Sequence, residues 1–231
     1  MAQKLSHPQS LAIALSFAAF IHQLRREGQI AQTQAEGGMA LSAEQGFSYW
    51  LAVGSILRGW ALVEEGQREK GIVQMHEGID SQAIGTELDR SYFLILLAEG
   101  YGKSHQVGEG IVLLANALDG MLRTGDCYYE AELYRIKGEL TLQSKVQGPK
   151  SKVEEEAAEC FHKAVEIARK QQAKSLELRA TVSLARLWQS QGKQAEARQM
   201  LAEIYGWFTE GFDTKDLQEA KSLLTELEIN E

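Results

Sequence analysis

The stretch that decides the fold is SLARLWQSQGKQAEARQMLAEIYGWF, from Ser183 to Phe208. Apolar residues recur at helical spacing on both sides of a Gln-Gly-Lys break, and the stretch contains no obvious catalytic group. This pattern predicts two antiparallel helices joined by a tight turn. A single hairpin of this kind cannot bury its own apolar faces, so its meaning depends on whether it recurs along the chain.

The composition favours an all-α protein. The chain has 231 residues, 44% of them hydrophobic, which is enough for one large domain or one elongated array. It contains only two prolines, Pro8 and Pro149, and much Ala, Leu, Glu, Gln and Lys. Because long runs of alternating β-branched residues are missing from the sequence, we expect no sheet.

The hairpin recurs with a period of 38 to 40 residues. RGWALVEEGQREKG (58–71) aligns with LAEGYGKSHQVGEG (97–110) at an offset of 39, and the opening stretch fits the same pattern. The segment QLRREGQIAQ aligns at an offset of 38, which puts Gly28 in the turn position of Gly66 and Gly192. A further unit, YEAELYRIKGELTLQS followed by EEEAAECFHKAVEIARKQ, carries the insert KVQGPKSKV between its two helices.

Large and small residues alternate in a fixed order within each repeat. Large residues such as Leu62 and Trp188 are expected to fill the gap between the two helices of a hairpin. Gly59, Gly71 and Gly110 are expected at points where two helices approach closely. Each hairpin must then stack on a neighbour, which predicts a right-handed superhelical array.

We expect five hairpins and a capping helix in one repeat domain over residues 1–231. The predicted hairpins cover residues 8–45, 48–84, 88–123, 126–171 and 174–208, and the capping helix covers residues 214–229 with Leu217, Leu223, Leu224 and Leu227 inward. The apolar run LAIALSFAAFI (11–21) is interpreted as a buried first helix with Pro8 in its first turn, and not as a signal peptide.

The order large–small–large–turn–small resembles tetratricopeptide repeats in an elongated form. SYWLAVGSILRGWALVEEGQ, YEAELYRIKGEL and especially YGWFTEGFDTKDL further resemble the C-terminal repeat region of bacterial proteins that carry a nucleotidyl cyclase domain and a predicted ATPase. The resemblance implies an all-α, tetratricopeptide-like fold, a role in signalling, and upstream ATPase or cyclase domains as partners. It covers only the repeat region, so the activities of those other domains are not transferred.

The charge and the cysteines argue against nucleic-acid, membrane and metal binding. The net charge of −8, from 24 basic and 32 acidic residues, repels nucleic acid and anionic membranes, and we expect neither as a partner. Cys127 and Cys160 lack metal-binding spacing. We therefore expect two reduced, half-buried thiols in a cytoplasmic protein.

The sequence contains no recognisable catalytic motif. GYGKSH (100–105) contains Gly-Lys-Ser, but Leu97 stands where a phosphate-binding loop requires glycine. KVEEEAAE (152–159) fits the start of a helix, where carboxylates favour the helix dipole. The five histidines show no metal-ligand spacing, although His105 occupies a turn position. We expect no enzymatic activity, no cofactor and no metal.

The inner groove of the array is the predicted working surface. Trp188 and Trp207 are assigned to packing, whereas Trp60 follows the small Gly59 and should point into the groove. Other groove positions come from the repeat offsets and from helical spacing. The candidate partner-binding residues are His22, Arg26, Trp60, Tyr92, Glu99 and Arg186. A simpler role for them, as contacts between adjacent repeats, stays open.

Two functions from different classes fit this sequence. The first is a non-catalytic interaction or scaffold module that binds a peptide or partner domain in the groove. The alternative is a small-molecule sensor domain of a signalling ATPase or cyclase, which would require a closed pocket with convergent polar groups. The sequence is also compatible with a homodimer.

Overall fold

The computed structural model describes residues 7–81, 87–144 and 150–229, and helices make up 84% of it. Eleven helices and no strand occur in these ranges, so the predicted all-α fold is confirmed. The chain divides into two compact units, of which unit 1 ends at Thr124 and unit 2 begins at Gly125. The superhelical hand and the single domain over residues 1–231 stay predictions.

Unit 1 contains three helical hairpins. Its first helices are α1 (Pro8–Leu24), α3 (Ser48–Glu64) and α5 (Glu87–Lys103), and its second helices are α2 (Gly28–Gln45), α4 (Arg68–Asp80) and α6 (Val107–Thr124). Each first helix contacts its own second helix, and α3 also contacts both α1 and α5. The three first helices therefore form a continuous row within unit 1, which we call the first-helix row.

Unit 2 contains two hairpins and the final helix. Its helices are α7 (Glu130–Gln143), α8 (Lys150–Lys170), α9 (Lys174–Ser190), α10 (Gln194–Tyr205) and α11 (Lys215–Ile229). α9 contacts both α7 and α11. The final helix buries Leu217, Leu223 and Leu227 as predicted, while Leu224 is partly buried against the same cluster.

The predicted helix boundaries are mostly correct to within a few residues. α7 begins at Glu130, later than predicted, and α8 begins at Lys150, so the last residues of the insert are helical. α4 ends at Asp80, and Ser81 already has an extended backbone. Residues 82–84 of the predicted fourth helix, and residues 145–149 of the insert, lie outside the described part of the chain.

Residues with positive φ mark the turns between paired helices. Gly66 and Gly192 have φ of 86° and 76°, which confirms both predicted turn glycines. In the first hairpin the turn residue is Arg26, with φ of 60°, and Gly28 is already the first residue of α2. The assignment of Gly28 to the turn is therefore wrong. A Cβ on Gly28 would lie 3.2 Å from Cβ of Glu64, so packing against α3 accounts for this glycine.

This turn corrects the repeat register, because Arg26 and Gly66 are 40 positions apart and not 38. The position equivalent to Trp60 in α1 is therefore Phe20, and His22 is instead equivalent to Leu62. The offset of 39 between the second and third hairpins holds, since His105 has a φ of 58° in the corresponding turn.

The predicted close approach of helices at Gly59 and Gly71 is confirmed. A Cβ on Gly71 would lie 2.4 Å from the carbonyl oxygen of Gly59, and a Cβ on Gly59 would lie 2.7 Å from that of Gly71. Two facing glycines therefore bring the backbones of α3 and α4 into direct contact, which no larger residue permits.

Three packing predictions are only partly correct. Trp188 is only half-buried, although it packs against buried clusters that include residues of α8, α9 and α10, and its ring lies 5.8 Å from that of His162 on α8. Trp207 was assigned to packing but is 58% exposed beyond the end of α10, where its ring meets that of Phe208. α1 has its proline in the first turn, but only one side of it is buried, and Phe17 and Ile21 are more than half exposed.

Candidate functional site

Trp60 and Tyr92 are buried, so the prediction that they line an open groove is wrong. They are only 2% and 5% exposed. Tyr92, on α5, reaches past α3 to α1, where its hydroxyl donates a hydrogen bond to Oε1 of the buried Gln23. The Tyr92 ring also lies 5.2 Å from the ring of Phe20. Side chains of unit 1 therefore close the middle of the first-helix row.

Trp60 is on α3, the helix between α1 and α5, which the bond from Tyr92 to Gln23 joins. Its indole Nε1 is buried and has no acceptor among the described residues. An indole N–H normally finds a partner when it is buried. The large apolar area of the ring must therefore outweigh the cost of one unmade hydrogen bond.

His22 and Arg26 lie at the turn between α1 and α2, outside the middle of the row. Nδ1 of His22 is 2.5 Å from Oε2 of Glu27, and Nε of Arg25 is 2.8 Å from Oε1 of the same carboxylate. Burial opposes ionisation of Glu27, but the bonds from His22 and Arg25 outweigh it and lower its pKa. Both candidates therefore belong to a charged turn at one end of the row.

Glu99 belongs to a charged cluster at the same end of the row. Nζ of Lys103 bonds the carboxylate of Glu64 on α3 and lies 3.0 Å from Oε1 of Glu99 on α5. Burial disfavours the ammonium group, but the two carboxylates outweigh that effect and raise the pKa of Lys103. The ion pairs tie α3 to α5.

The opposite end of the row carries an aromatic patch, formed by Phe17, Tyr49, Trp50 and Asp89. The Tyr49 and Trp50 rings meet edge to face at 4.9 Å, and the Trp50 ring lies 6.0 Å from that of Phe17. Phe17 is 55% exposed, while Tyr49 and Trp50 are half-buried. Patches of this kind, partly open and rich in aromatic rings, are typical of binding surfaces.

Asp89 gives the aromatic patch a polar anchor. The hydroxyl of Tyr49 donates to Oδ2 of Asp89 at 2.5 Å, and the carboxylate is otherwise exposed. Burial and the neighbouring carboxylate raise the pKa of Tyr49, so its hydroxyl stays protonated and remains a donor. The sequence interpretation missed this patch. The sequence signal for the patch was SYW (48–50), at the start of α3, where two aromatic residues are consecutive.

Unit 2 carries an ion-pair cluster where its first helices meet α11. Nε of Arg179 on α9 is 2.7 Å from Oδ2 of Asp216 on α11, and its Nη1 is 3.7 Å from Oε1 of Glu132 on α7. Arg135 bonds the same Glu132 at 2.7 Å and Glu139 at 2.5 Å. Burial opposes the charge of Arg179, but Glu132 and Asp216 outweigh it and raise its pKa.

Arg186 is the only candidate in unit 2. Its side chain is 54% exposed, and its Nη2 lies 2.8 Å from Oε1 of Glu219 on α11. It is accessible to a partner, but it lies in a different unit from the other five candidates. The structure therefore brings Glu99 into an ion-pair cluster with Glu64 and Lys103, leaves His22 and Arg26 at the turn after α1, buries Trp60 and Tyr92, and places Arg186 in unit 2.

The remaining chemistry is sparse. The described residues contain no group of three or more His, Cys, Asp or Glu side chains that could hold a metal ion. Cys127 and Cys160 are free and half-buried, and burial raises the pKa of both thiols. Among the described helices, none is long and apolar enough to cross a membrane.

Comparisons with known proteins bear on the fold alone. No family model matches the chain, and no curated protein matches it. Among solved structures, it is similar to a variant of a Podosopora anserina protein that is described as a kinesin light chain with nearly identical TPR-like repeats. The TM-score is 0.56 at 20% identity, over 87% of this chain and 95% of the other. The link to cyclase-containing proteins stays a prediction, whereas the fold of this chain is that of TPR-like helical repeats.

Proposed function

We propose that the chain is a non-catalytic interaction module that binds a segment of a partner protein along the first-helix row of unit 1. The observation that carries the proposal is the aromatic patch. Phe17, Tyr49 and Trp50 offer partly exposed rings for an apolar side chain, and Asp89 lies beside them with acceptor capacity left for a basic one. Aromatic residues that lose little conformational freedom on binding are common anchors of protein interfaces.

The row also defines the length of the bound segment. Tyr49 and Glu64 stand at opposite ends of α3, about 22 Å apart at 1.5 Å per residue. A segment that reached both ends would place an apolar anchor and a basic group at the aromatic patch, and polar groups at the cluster of Glu64, Glu99 and Lys103. His22 and Arg26 lie near that second end and remain candidate contacts.

A peptide library tests this proposal. Random peptides displayed on phage are selected on the intact chain, and the affinity of the enriched peptides is measured by fluorescence anisotropy. Trp50→Ala combined with Asp89→Asn should weaken binding by about tenfold or more, since a truncated anchor costs more than about 1.4 kcal/mol. The matched control is Trp207→Ala, which removes an exposed tryptophan from unit 2 and should leave the affinity unchanged. Equal binding to the double variant and the wild type would contradict the proposal.

A small-molecule sensor is the second candidate, and one cavity favours it. It lies in unit 1 between α4, α5 and α6 and has a volume of about 340 Å³. Its lining combines Leu94 and Leu97 with the polar Arg90 and Asn116. This volume is at the small end for ligand sites. Thermal-shift measurements with a panel of sugars and carboxylic acids test it, and the candidate requires a stabilising compound whose effect is lost in Asn116→Ala.

A further inference from the structure

α1 exposes an apolar face at positions that are buried in the next two first helices. The face consists of Ala14, Phe17 and Ile21, which lie on one side of α1 at spacings of three and four residues. Ala14 is exposed, and Phe17 and Ile21 are 55% and 54% exposed. We call it the α1 apolar face. Apolar side chains of this size are normally covered when they line up along a helix.

The equivalent positions in the next two first helices are buried. With the corrected offset of 40, Ala14, Phe17 and Ile21 correspond to Gly54, Leu57 and Ala61 in α3, and a further offset of 39 leads to Phe93, Leu96 and Gly100 in α5. Leu57 and Ala61 are fully buried, Phe93 and Leu96 are 2% and 4% exposed, and both glycines are buried. These positions therefore form the face that a first helix turns toward a preceding element.

In each case the covering element is the second helix of the preceding hairpin. A Cβ on Gly54 would lie 2.6 Å from Cγ of Met39 and 3.4 Å from the carbonyl oxygen of Ala35, both on α2. A Cβ on Gly100 would lie 3.0 Å from Cε of Met75 on α4. Unit 2 repeats the arrangement, since Leu187 of α9 packs in one cluster with Phe161 of α8.

We propose that the α1 apolar face is a docking site for one amphipathic helix of a partner protein, which packs as α2 packs on α3. The chemistry of that helix follows from the side chains it must meet. α2 covers α3 with Gly28, Ala35 and Met39, spaced seven and four residues apart on one side. Phe17 and Ile21 are larger than the Leu57 and Ala61 they correspond to. The partner helix therefore needs glycine or alanine opposite them, with methionine or another flexible apolar side chain at the next turn.

This surface differs from the one used in the proposed function. Phe17 belongs to both surfaces, because its ring also lies 6.0 Å from that of Trp50, but Ala14 and Ile21 lie only on the side where a preceding second helix would pack. The inference does not rest on the proposed function, and Ala14 and Ile21 provide variants that leave Trp50 and Asp89 intact.

A peptide made from α2 itself serves as the probe. The 18-residue peptide of residues 28–45, fluorescently labelled, is titrated with the intact chain and followed by anisotropy. We expect saturable binding that Ala14→Glu combined with Ile21→Glu weakens at least about tenfold, because two buried carboxylates would face an apolar helix. A peptide with Ala35→Glu should lose binding to the same extent. The control variant, Val73→Glu with Val112→Glu, adds equal charge at exposed apolar positions on α4 and α6 and should bind like the wild type.

Other outcomes overturn the inference. Absence of saturable binding, or equal binding to the Ala14→Glu, Ile21→Glu variant, shows that the α1 apolar face accepts no such helix. Should that variant unfold, Ile21→Ser decides the matter in its place, with an expected loss of about threefold or more. Sedimentation of the chain alone, showing dimers that Ile21→Ser dissociates, would assign the face to a second copy instead. If the phage-selected peptides still bind the Ala14→Glu, Ile21→Glu variant, the two surfaces act independently, and failure of the α1 apolar face leaves the proposed function intact.

Discussion

Replacing Gly71 with alanine tests the closest helix contact in unit 1. The added Cβ would lie 2.4 Å from the carbonyl oxygen of Gly59 and 2.7 Å from Cγ2 of Val63, whereas ordinary contacts begin at 3.4 Å. α3 and α4 must then separate by about 1 Å where they cross, because a backbone oxygen cannot rotate away as a flexible side chain can. Overpacking costs about 1–3 kcal/mol, and a clash with rigid backbone belongs in the upper half of that range, while the better helix propensity of alanine offsets about 1 kcal/mol.

We therefore expect Gly71→Ala to lower the free energy of unfolding by about 1–2 kcal/mol, measured by urea denaturation with circular dichroism. Gly37→Ala is the matched control, since Gly37 is also inside a helix but its added Cβ would meet only methyl groups of Leu15, at 3.7 and 4.0 Å. That variant should gain about 0.5–1 kcal/mol. A Gly71→Ala protein as stable as the wild type would refute the reasoning, as would a shift of both variants in the same direction.

Three further substitutions test the buried groups. Trp60→Ala should cost about 3–5 kcal/mol of unfolding free energy in the same assay, because the Trp60 side chain is only 2% exposed. Trp207→Ala is the control and should have a small effect, because Trp207 is 58% exposed. A loss below about 1 kcal/mol for Trp60→Ala would contradict its burial. Tyr92→Phe leaves the buried amide oxygen of Gln23 without its donor and should cost about 1–2 kcal/mol, whereas Tyr128→Phe, at a position 75% exposed, should cost nothing measurable. Glu177 is 4% exposed and receives bonds of 2.7 Å each from Lys174 and Arg169, which outweigh the effect of burial and lower its pKa below 4.5. A carboxyl group whose pKa is lower in the folded state stabilises the fold above its unfolded pKa, and this contribution disappears as the pH falls through the folded value. The stability difference between wild type and Glu177→Gln should therefore be largest near neutral pH and shrink below about pH 4.5, and a difference that is constant down to pH 3 would be inconsistent with this role.

Local periodicity was sufficient to predict the helices. Turn glycines such as Gly66 and Gly192 interrupt the apolar pattern, and small residues such as Gly59 and Gly71 recur where helices cross. These signals depend only on residues close together in sequence. Even so, one turn was misplaced, because Arg26 adopts the left-handed conformation that glycine usually supplies. That error moved the register by two residues and selected His22 in place of Phe20.

The candidate site was harder to predict, because it depends on how near α5 comes to α1. Tyr92 and Gln23 are 69 positions apart, and no repeat pattern indicates that their side chains meet. The same holds for Arg179 and Asp216, which are 37 positions apart on different helices. Periodicity shows which side of a helix faces its neighbours. It does not show whether a side chain on that side ends in solvent or against a helix two places further along.

The bond between Tyr92 and Gln23 also bears on how unit 1 unfolds. In a linear repeat array each hairpin interacts only with its nearest neighbours, so terminal hairpins can fray one at a time. Here the hydroxyl bond and the contact between the Tyr92 and Phe20 rings join the first hairpin directly to the third. Opening α1 must break contacts to α5 as well as to α3. The three hairpins are thereby coupled into one cooperative unit, whose amide protons should exchange with solvent together, without a gradient from the end of the array inward.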